Sequence, residues 1–284
     1  MALKALLQKV KTPILTNAPS KGTDFAPING PKNLQSKIGI VGGGVSGVHM
    51  AYSLKKMGYS DVTILEKSNR LSGKAYAQNY RGQRYTMSSM WMTNDYEATL
   101  LPLLRDFGFF DNGTDPVPLE FTYWPKNNVS VKSIESSLKL AFLTVGKVLQ
   151  TKDKGVILGK VMSDLNRYTD LHHQYFGNYK YGLMSRPDES TMQSLKGSFY
   201  DFLKSNQLVT LVPLFEGFLQ NNAYGPIYDL PTIYGMIWCT PNMMIDIIAF
   251  KAKQLQRKSI ADLFPMMVED QNIPVLYDFE VNVS

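Results

Sequence analysis

The sequence predicts an α/β protein in which a Rossmann-like nucleotide-binding unit carries an inserted, mainly helical segment. Three observations support this. Lys37 to Glu66 read as strand, glycine turn, helix, strand and acid. Residues 133–176 place apolar side chains at helical spacing, and the final run from Val275 alternates as a strand does, so the chain returns to β structure after the helices.

Residues 1–36 read as a basic leader or linker. Lys4, Lys9, Lys11 and Lys21 precede the first acid, Asp24, and turn formers punctuate Thr16 to Ser20 and Asn29 to Pro31. A mitochondrial leader and a disordered basic tail both share this composition, and both readings stand.

In residues 37–100 an apolar strand (Ile38, Ile40, Val41) runs into Gly42, Gly43, Gly44, Val45, Ser46 and Gly47. Gly42 permits a tight turn, Gly44 lets backbone approach a pyrophosphate, and Gly47 lets the following helix pack close to the strand. That helix presents unpaired N–H groups and the positive end of its dipole to an anion. Gly58 stops it, and a second strand (Val62, Ile64, Leu65) ends on Glu66. Glu66 lies 19 residues beyond Gly47, the distance at which a carboxylate meets the adenosine ribose hydroxyls and disfavours a 2′-phosphate.

Glu66, Arg70, Leu71, Ser72, Gly73 and Lys74 spell ExxxRxSGK, which resembles the ExxxRxGGR extension of the flavin amine oxidases. The run DVTILEKSNRLSGKAYAQNYRGQRYTMSSM is similar to the polyunsaturated fatty-acid double-bond isomerases of that superfamily, above all in Asn79 to Tyr85. Phe202, Leu203, Leu214, Phe215, Phe218, Tyr224, Gly225, Asp229, Pro231 and Tyr234 follow the same branch's spacing. The resemblance implies FAD, with Arg70 and the Gly73 turn around the far side of the pyrophosphate. It implies a cofactor set of Gly42, Gly44, Val45, Ser46, Gly47, Glu66, Lys67, Arg70, Gly73, Lys74, Ser89 and Met90. Where the family has a glycine turn beside the flavin ring, this chain has Thr86 and Ser88, a departure that would crowd the ring.

The inserted segment spans residues 101–250. Apolar residues from Asp95 to Phe109 suit a helix stopped by Gly108, and Phe110 to Trp124 read as loop and strand. No arginine stands there to hold a fatty carboxylate, which the resemblance would have supplied. Two helices follow in 133–176, with the break at Gly155. Tyr175, Phe176, Tyr179 and Tyr181 read as hinge and core packing more readily than as an aromatic cage. Ser198 caps a short helix to Asn206.

Between Ser205 and Phe250 only Glu216, Asp229 and Asp246 are charged. So apolar a run must form core, line a substrate channel or meet an interface or lipid surface, and its prolines break it too often for a membrane helix. Met236, Trp238, Met243 and Met244 suit a core or a channel for a flexible acyl chain. Residues 251–284 read as a basic helix (Lys251, Lys253, Arg257, Lys258) and then the closing strand, which the family returns to the FAD domain near the adenine. The family pattern continues further, so the fold is expected to be incomplete at the C-terminus.

Composition bounds the function. The 284 residues are 44% hydrophobic, ample for a core, and the net charge of +6 attracts anions without any basic run or motif for nucleic acid. The one cysteine, Cys239, excludes an internal disulfide and fits a reducing, cytoplasmic compartment. His172 and His173 diverge on a helix, so no metal site is expected. No triad or paired carboxylates emerge, and the catalytic residues stay unassigned. The resemblance implies an FAD-dependent oxidoreductase or isomerase that shifts double bonds in a polyunsaturated fatty acid. An FAD-dependent amine or other oxidase is the alternative, followed by a truncated, non-catalytic nucleotide-binding paralogue and, more distantly, a plain NAD dehydrogenase. The expected partner is a small apolar substrate, with peripheral membrane contact open and the oligomeric state unassigned.

Overall fold

The computed structural model describes residues 33–88, 91–110, 117–118, 134–179, 181, 183–255 and 258–282. In chain order the first elements are β1 (Ile38–Val41), α1 (Val45–Lys56), β2 (Val62–Leu65), β3 (Ala77–Tyr80), β4 (Gln83–Thr86) and α2 (Leu100–Asp106). The helical stretch contains α3 (Ile134–Val148), α4 (Lys154–Phe176), α5 (Glu189–Ser194), α6 (Phe199–Ser205), α7 (Val212–Asn221), α8 (Thr232–Trp238) and α9 (Pro241–Ile248). The chain closes with α10 (Leu263–Asp270) and β5 (Val275–Leu276). These elements fall into two compact units, one made of 24–91, 99–117 and 254–284, the other chiefly of 118–253 with 92–98.

In the first unit β1, β2 and β5 form a parallel sheet in that order. Its register pairs Ile38 with Val62, Val41 with Leu65 and Leu65 with Leu276. Parallel pairing needs a crossover between strands, and α1 supplies it. Val48 and Ala51 of α1 are fully buried, and α1 packs on α10, whose Leu263, Phe264 and Met267 are also buried. Gly58, at φ +97°, ends the turn that returns the chain to β2. An antiparallel hairpin, β3 with β4, follows the sheet's second strand.

Three sequence expectations are corrected here. The helix expected over 95–109 is a single 3-10 turn at Asn94–Tyr96 and then the shorter α2, because Pro102 has no N–H to donate and fits only a helix's first turn. The helix break lies before Gly155, which sits in the first turn of α4 under the Asp153 cap. Among the described residues of 251–258 the expected basic helix does not form, with Arg257 outside them: α9 stops at Ala249, Phe250 takes φ +57°, and Lys253–Gln254 are extended. Helix begins again only after Ser259, whose side chain and that of Asp262 form a capping box.

The second unit is a helical assembly centred on Tyr168, Phe199 and Phe215, none of which has exposed surface. Phe199 stacks on Phe215 at 5.7 Å between centroids, and Tyr168 meets Phe215 edge-on at 5.0 Å. The Tyr168 hydroxyl donates to the Cys239 carbonyl at 2.8 Å, so its polar end is satisfied in the core. The low-charge stretch 205–250 supplies much of this core, with Met236, Met243 and Met244 buried. Phe176 and Tyr179 are buried as well, against His172. Ser198 caps α6 by accepting from the Asp201 amide at 3.1 Å. Among the described residues no helix is long and apolar enough to cross a membrane.

Candidate functional site

The site is built from two loops at the carboxyl ends of β1 and β2. The first, Gly42 to Gly47, cannot carry larger residues at two of its glycines. Gly42 takes φ +98°, a region costly for a residue with a Cβ. A Cβ on Gly47 would lie 1.9 Å from the Gly42 carbonyl oxygen, so the turn and the helix approach each other only because that atom is missing.

Gly44 is the N-cap of α1, in extended conformation, and no side chain caps the helix. Nor is there an acidic residue in its first turn, so the amides of Val45, Ser46 and Gly47 and the positive end of the dipole meet no charge from their own helix. Val45 and Ser46 are exposed, and Gly42 and Gly44 are partly so.

The second loop, Glu66 to Lys74, closes against the first. Gly44 and Ser72 form a parallel bridge, and the Ser72 amide donates to the Gly43 carbonyl at 2.8 Å. Gly73 adopts φ +52°, and a Cβ there would come within 2.9 Å of the Gly44 Cα. The Ser72 hydroxyl donates to the Ala261 carbonyl at 2.7 Å, which anchors the loop to the turn before α10.

The Glu66 carboxylate joins the two loops. Its Oε2 accepts from the Gly43 amide at 2.6 Å, and its Oε1 accepts from the Ser68 amide at 2.8 Å and the Ser68 hydroxyl at 2.6 Å. Partial burial would raise its pKa. The Ser68 bonds, the Gly43 amide and the charge of Arg70 outweigh that and hold it below the usual value. A carboxylate has about four acceptor positions, so these three bonds leave room for one more donor.

Arg70 folds back along its own loop, its guanidinium 4.6 Å from the Tyr76 ring centroid and donating to the Leu71 carbonyl at 3.2 Å. Lys67 and Lys74 are exposed. Ser89 and Met90 lie outside the described residues. Ser88 uses its hydroxyl within the chain, donating to the Lys74 carbonyl and accepting from the Tyr76 amide at 3.0 Å. The segment after β5 completes the surroundings, with the Phe279 amide donating to the Glu66 carbonyl at 3.0 Å.

The structure thus brings Gly42, Gly44, Val45, Ser46, Gly47, Glu66 and Gly73 to one place, with Arg70 at its border. Sequence reasoning passed over Ser68, and it read Ser72 only as a member of the ExxxRxSGK run without giving it a role. A small hydroxyl residue two positions after the acid was the available signal for Ser68, since such residues bond to nearby polar groups in turns. The run marked Ser72's position but not its bonds to Gly43 and Ala261, which are distant in sequence. The residues fit a dinucleotide: the helix end is uncapped, a Cβ on Gly42 would point into open space, and the acid retains an acceptor position.

The family model of NAD(P)-binding Rossmann-like domains matches residues 40–107. A polyenoic fatty acid isomerase of Ptilota filicina is 23% identical over 225 residues, covering 72% of this chain and 41% of that protein. Protoporphyrinogen oxidase 2 of Arabidopsis thaliana, chloroplastic/mitochondrial, is 30% identical over 122 residues, covering 43% of this chain and 23% of the relative. Among solved structures, a fatty acid isomerase of P. acnes that produces CLA superposes with a TM-score of 0.59 at 18% identity, covering 87% of this chain and 52% of that one. A putrescine oxidase gives 0.54 at 16%, covering 86% and 51%. The chain therefore spans less than half the length of the curated relatives it matches. The likeness to the flavin amine-oxidase-like superfamily read from the ExxxRxSGK run is shown by these matches, and so is the Rossmann-like α/β fold.

Proposed function

We propose that this chain holds FAD and serves an oxidoreductase or isomerase reaction, with a polyunsaturated fatty acid as the substrate whose double bond is moved. The observation that supports it is the closure of the Ser72–Gly73 loop on Gly44 beside the uncapped end of α1. A nicotinamide site needs only the first loop, whereas the second adds a wall with its own backbone and basic side chains.

In this reading the amides of Val45, Ser46 and Gly47 bind the pyrophosphate, and Gly44 offers no side chain in the way. Glu66 takes a ribose hydroxyl at its remaining acceptor position. Arg70, Lys67 and Lys74 offset the phosphate charge. Ser89 and Met90 are proposed beside the flavin. FAD, when bound, supplies an acceptor for a hydride from an activated C–H and a donor that returns it to another carbon. The chain's part is to hold, orient and keep water from that group. The fatty-acid substrate rests on the relative from Ptilota filicina, a polyenoic fatty acid isomerase similar over most of this chain. An FAD-dependent oxidase is the second reading, supported by the 122-residue match to protoporphyrinogen oxidase 2.

The test is spectroscopic. Purified protein supplied with FAD should retain it through desalting and show flavin absorption bands. Linoleate or arachidonate added without oxygen should then give conjugated-diene absorbance. Bound flavin with oxygen consumption and no diene on any polyene supports the oxidase. Colourless protein that still binds ADP supports a non-catalytic nucleotide binder and defeats the FAD proposal.

A further inference from the structure

We infer a second binding site, for an alkylammonium ligand, in the groove between α3 and α7 of the helical unit. The groove encloses about 540 Å³, within the range of small-molecule sites. Its apolar lining comes from Leu140, Ala141 and Val148 on α3 and from Val212 and Pro213 on α7, and Thr144, Gln220 and Asn221 add uncharged polar groups. It widens at Gly217, where a Cβ would meet nothing within 4 Å. The Thr144 hydroxyl is already committed to the Leu140 carbonyl at 3.1 Å.

Charge then selects the ligand. Glu216 is the one charged side chain among the described residues that line the groove. Its Oε1 accepts from Gln220 at 3.1 Å, while Oε2 has no hydrogen-bond partner among the described residues. Two tyrosine rings line the same groove, Tyr200 and Tyr228, with centroids 4.5 Å apart and planes inclined by 42°. Partial burial and then the Glu216 carboxylate raise the Tyr228 pKa.

A carboxylate next to aromatic faces attracts a cation and repels an anion. The apolar lining adds a preference for a hydrocarbon stem. A fatty carboxylate has the wrong sign for this groove, as does a nucleotide, so the site is distinct from the proposed flavin chemistry and does not rest on it.

Titration calorimetry with octyltrimethylammonium, kept below its micelle concentration, tests this directly. Saturable binding is expected, with octanoate at least about fivefold weaker. Glu216→Gln should weaken the cation about fivefold, the scale of one exposed charge contact, with an unchanged melting temperature. Tyr228→Leu should weaken it several-fold while Tyr228→Phe, which keeps the ring, should not. Octanoate binding as tightly as the cation overturns the proposal. So does an affinity unmoved by Glu216→Gln, or the lack of saturable binding.

Discussion

At the scale of single residues, the glycine loop shows how one missing atom decides a site. Gly47→Ala places a methyl 1.9 Å from the Gly42 oxygen, backbone against backbone, with no flexible side chain to yield. The expected loss is about 1–3 kcal/mol, the usual scale of overpacking, seen as a lower melting temperature together with loss of flavin retention. Gly44→Val is expected to differ, keeping most of the stability while losing the cofactor, because the nearest atom to its new Cβ is 3.8 Å away. Retained flavin in Gly44→Val, read from its absorption, would defeat the site assignment. His172 carries a separate prediction. Its Nε2 lies 2.9 Å from the Met236 carbonyl, so that nitrogen bears the hydrogen, and Nδ1 accepts from the Tyr179 hydroxyl at 3.1 Å. Burial pushes its pKa from 6.5 down to about 4, against the Met236 carbonyl, which favours the charged form. A folded pKa below the unfolded one means that the unfolded chain binds the proton first. The His172 contribution to stability is therefore full above about pH 6.5 and falls away as the pH drops toward about 4. The loss is on the order of 3 kcal/mol. Asp95 and Asp246, raised by burial, shift in the opposite sense, so urea unfolding of His172→Gln beside the parent protein isolates the effect. A ring resonance of His172 that titrates near pH 6.5 in the folded protein would contradict it.

At the scale of elements, helix ends are set by short-range bonds that can be tested one at a time. Asp153 caps α4, its Oδ1 accepting from the Gly155 amide at 2.8 Å and the Val156 amide at 3.2 Å. Asp153→Ala is expected to cost about 1 kcal/mol, measurable as a shift in the denaturant midpoint with unchanged slope. The correction at 251–258 follows the same logic. Four basic residues suggested a helix face, yet no cap or apolar period supported it, and Phe250 at φ +57° had already ended α9. The capping box at Ser259 and Asp262 was the signal for the helical segment that follows, and it stood in the sequence unread.

At the scale of the whole molecule, the chain forms two compact units, each with buried side chains of its own. The sheet unit positions backbone: its strands end where the two loops meet. The helical unit buries aromatic area, and Phe215 lies at its centre with no exposed surface. Phe215→Ala is expected to cost about 3–5 kcal/mol. Thermal melts followed by near-ultraviolet circular dichroism would show it, and a change under 1 kcal/mol would mean the aromatic cluster had been misjudged. The low-charge stretch 205–250, open by composition between core, channel and an interface or lipid surface, supplies much of this interior, while its three acids diverge. Asp246 is buried and accepts from the Asn94 amide at 2.8 Å, Asp229 is exposed, and Glu216 faces the groove.

The sequence alone determined the strand, turn, helix, strand and acid from Ile38 to Glu66, since glycine spacing, a helix stop and apolar alternation are local properties of the chain. It also carried the ExxxRxSGK run and with it the likeness to flavin amine oxidases. Tertiary structure decided what the Glu66 carboxylate is bonded to, that Ser72 bridges to Gly44 and Ala261, and that Glu216 is the one charged side chain among the described residues lining its groove. Those outcomes depend on atoms far apart in the chain, as with the 189 residues between Ser72 and Ala261. No periodicity or local propensity encodes such a meeting, because it exists only once separate elements have packed.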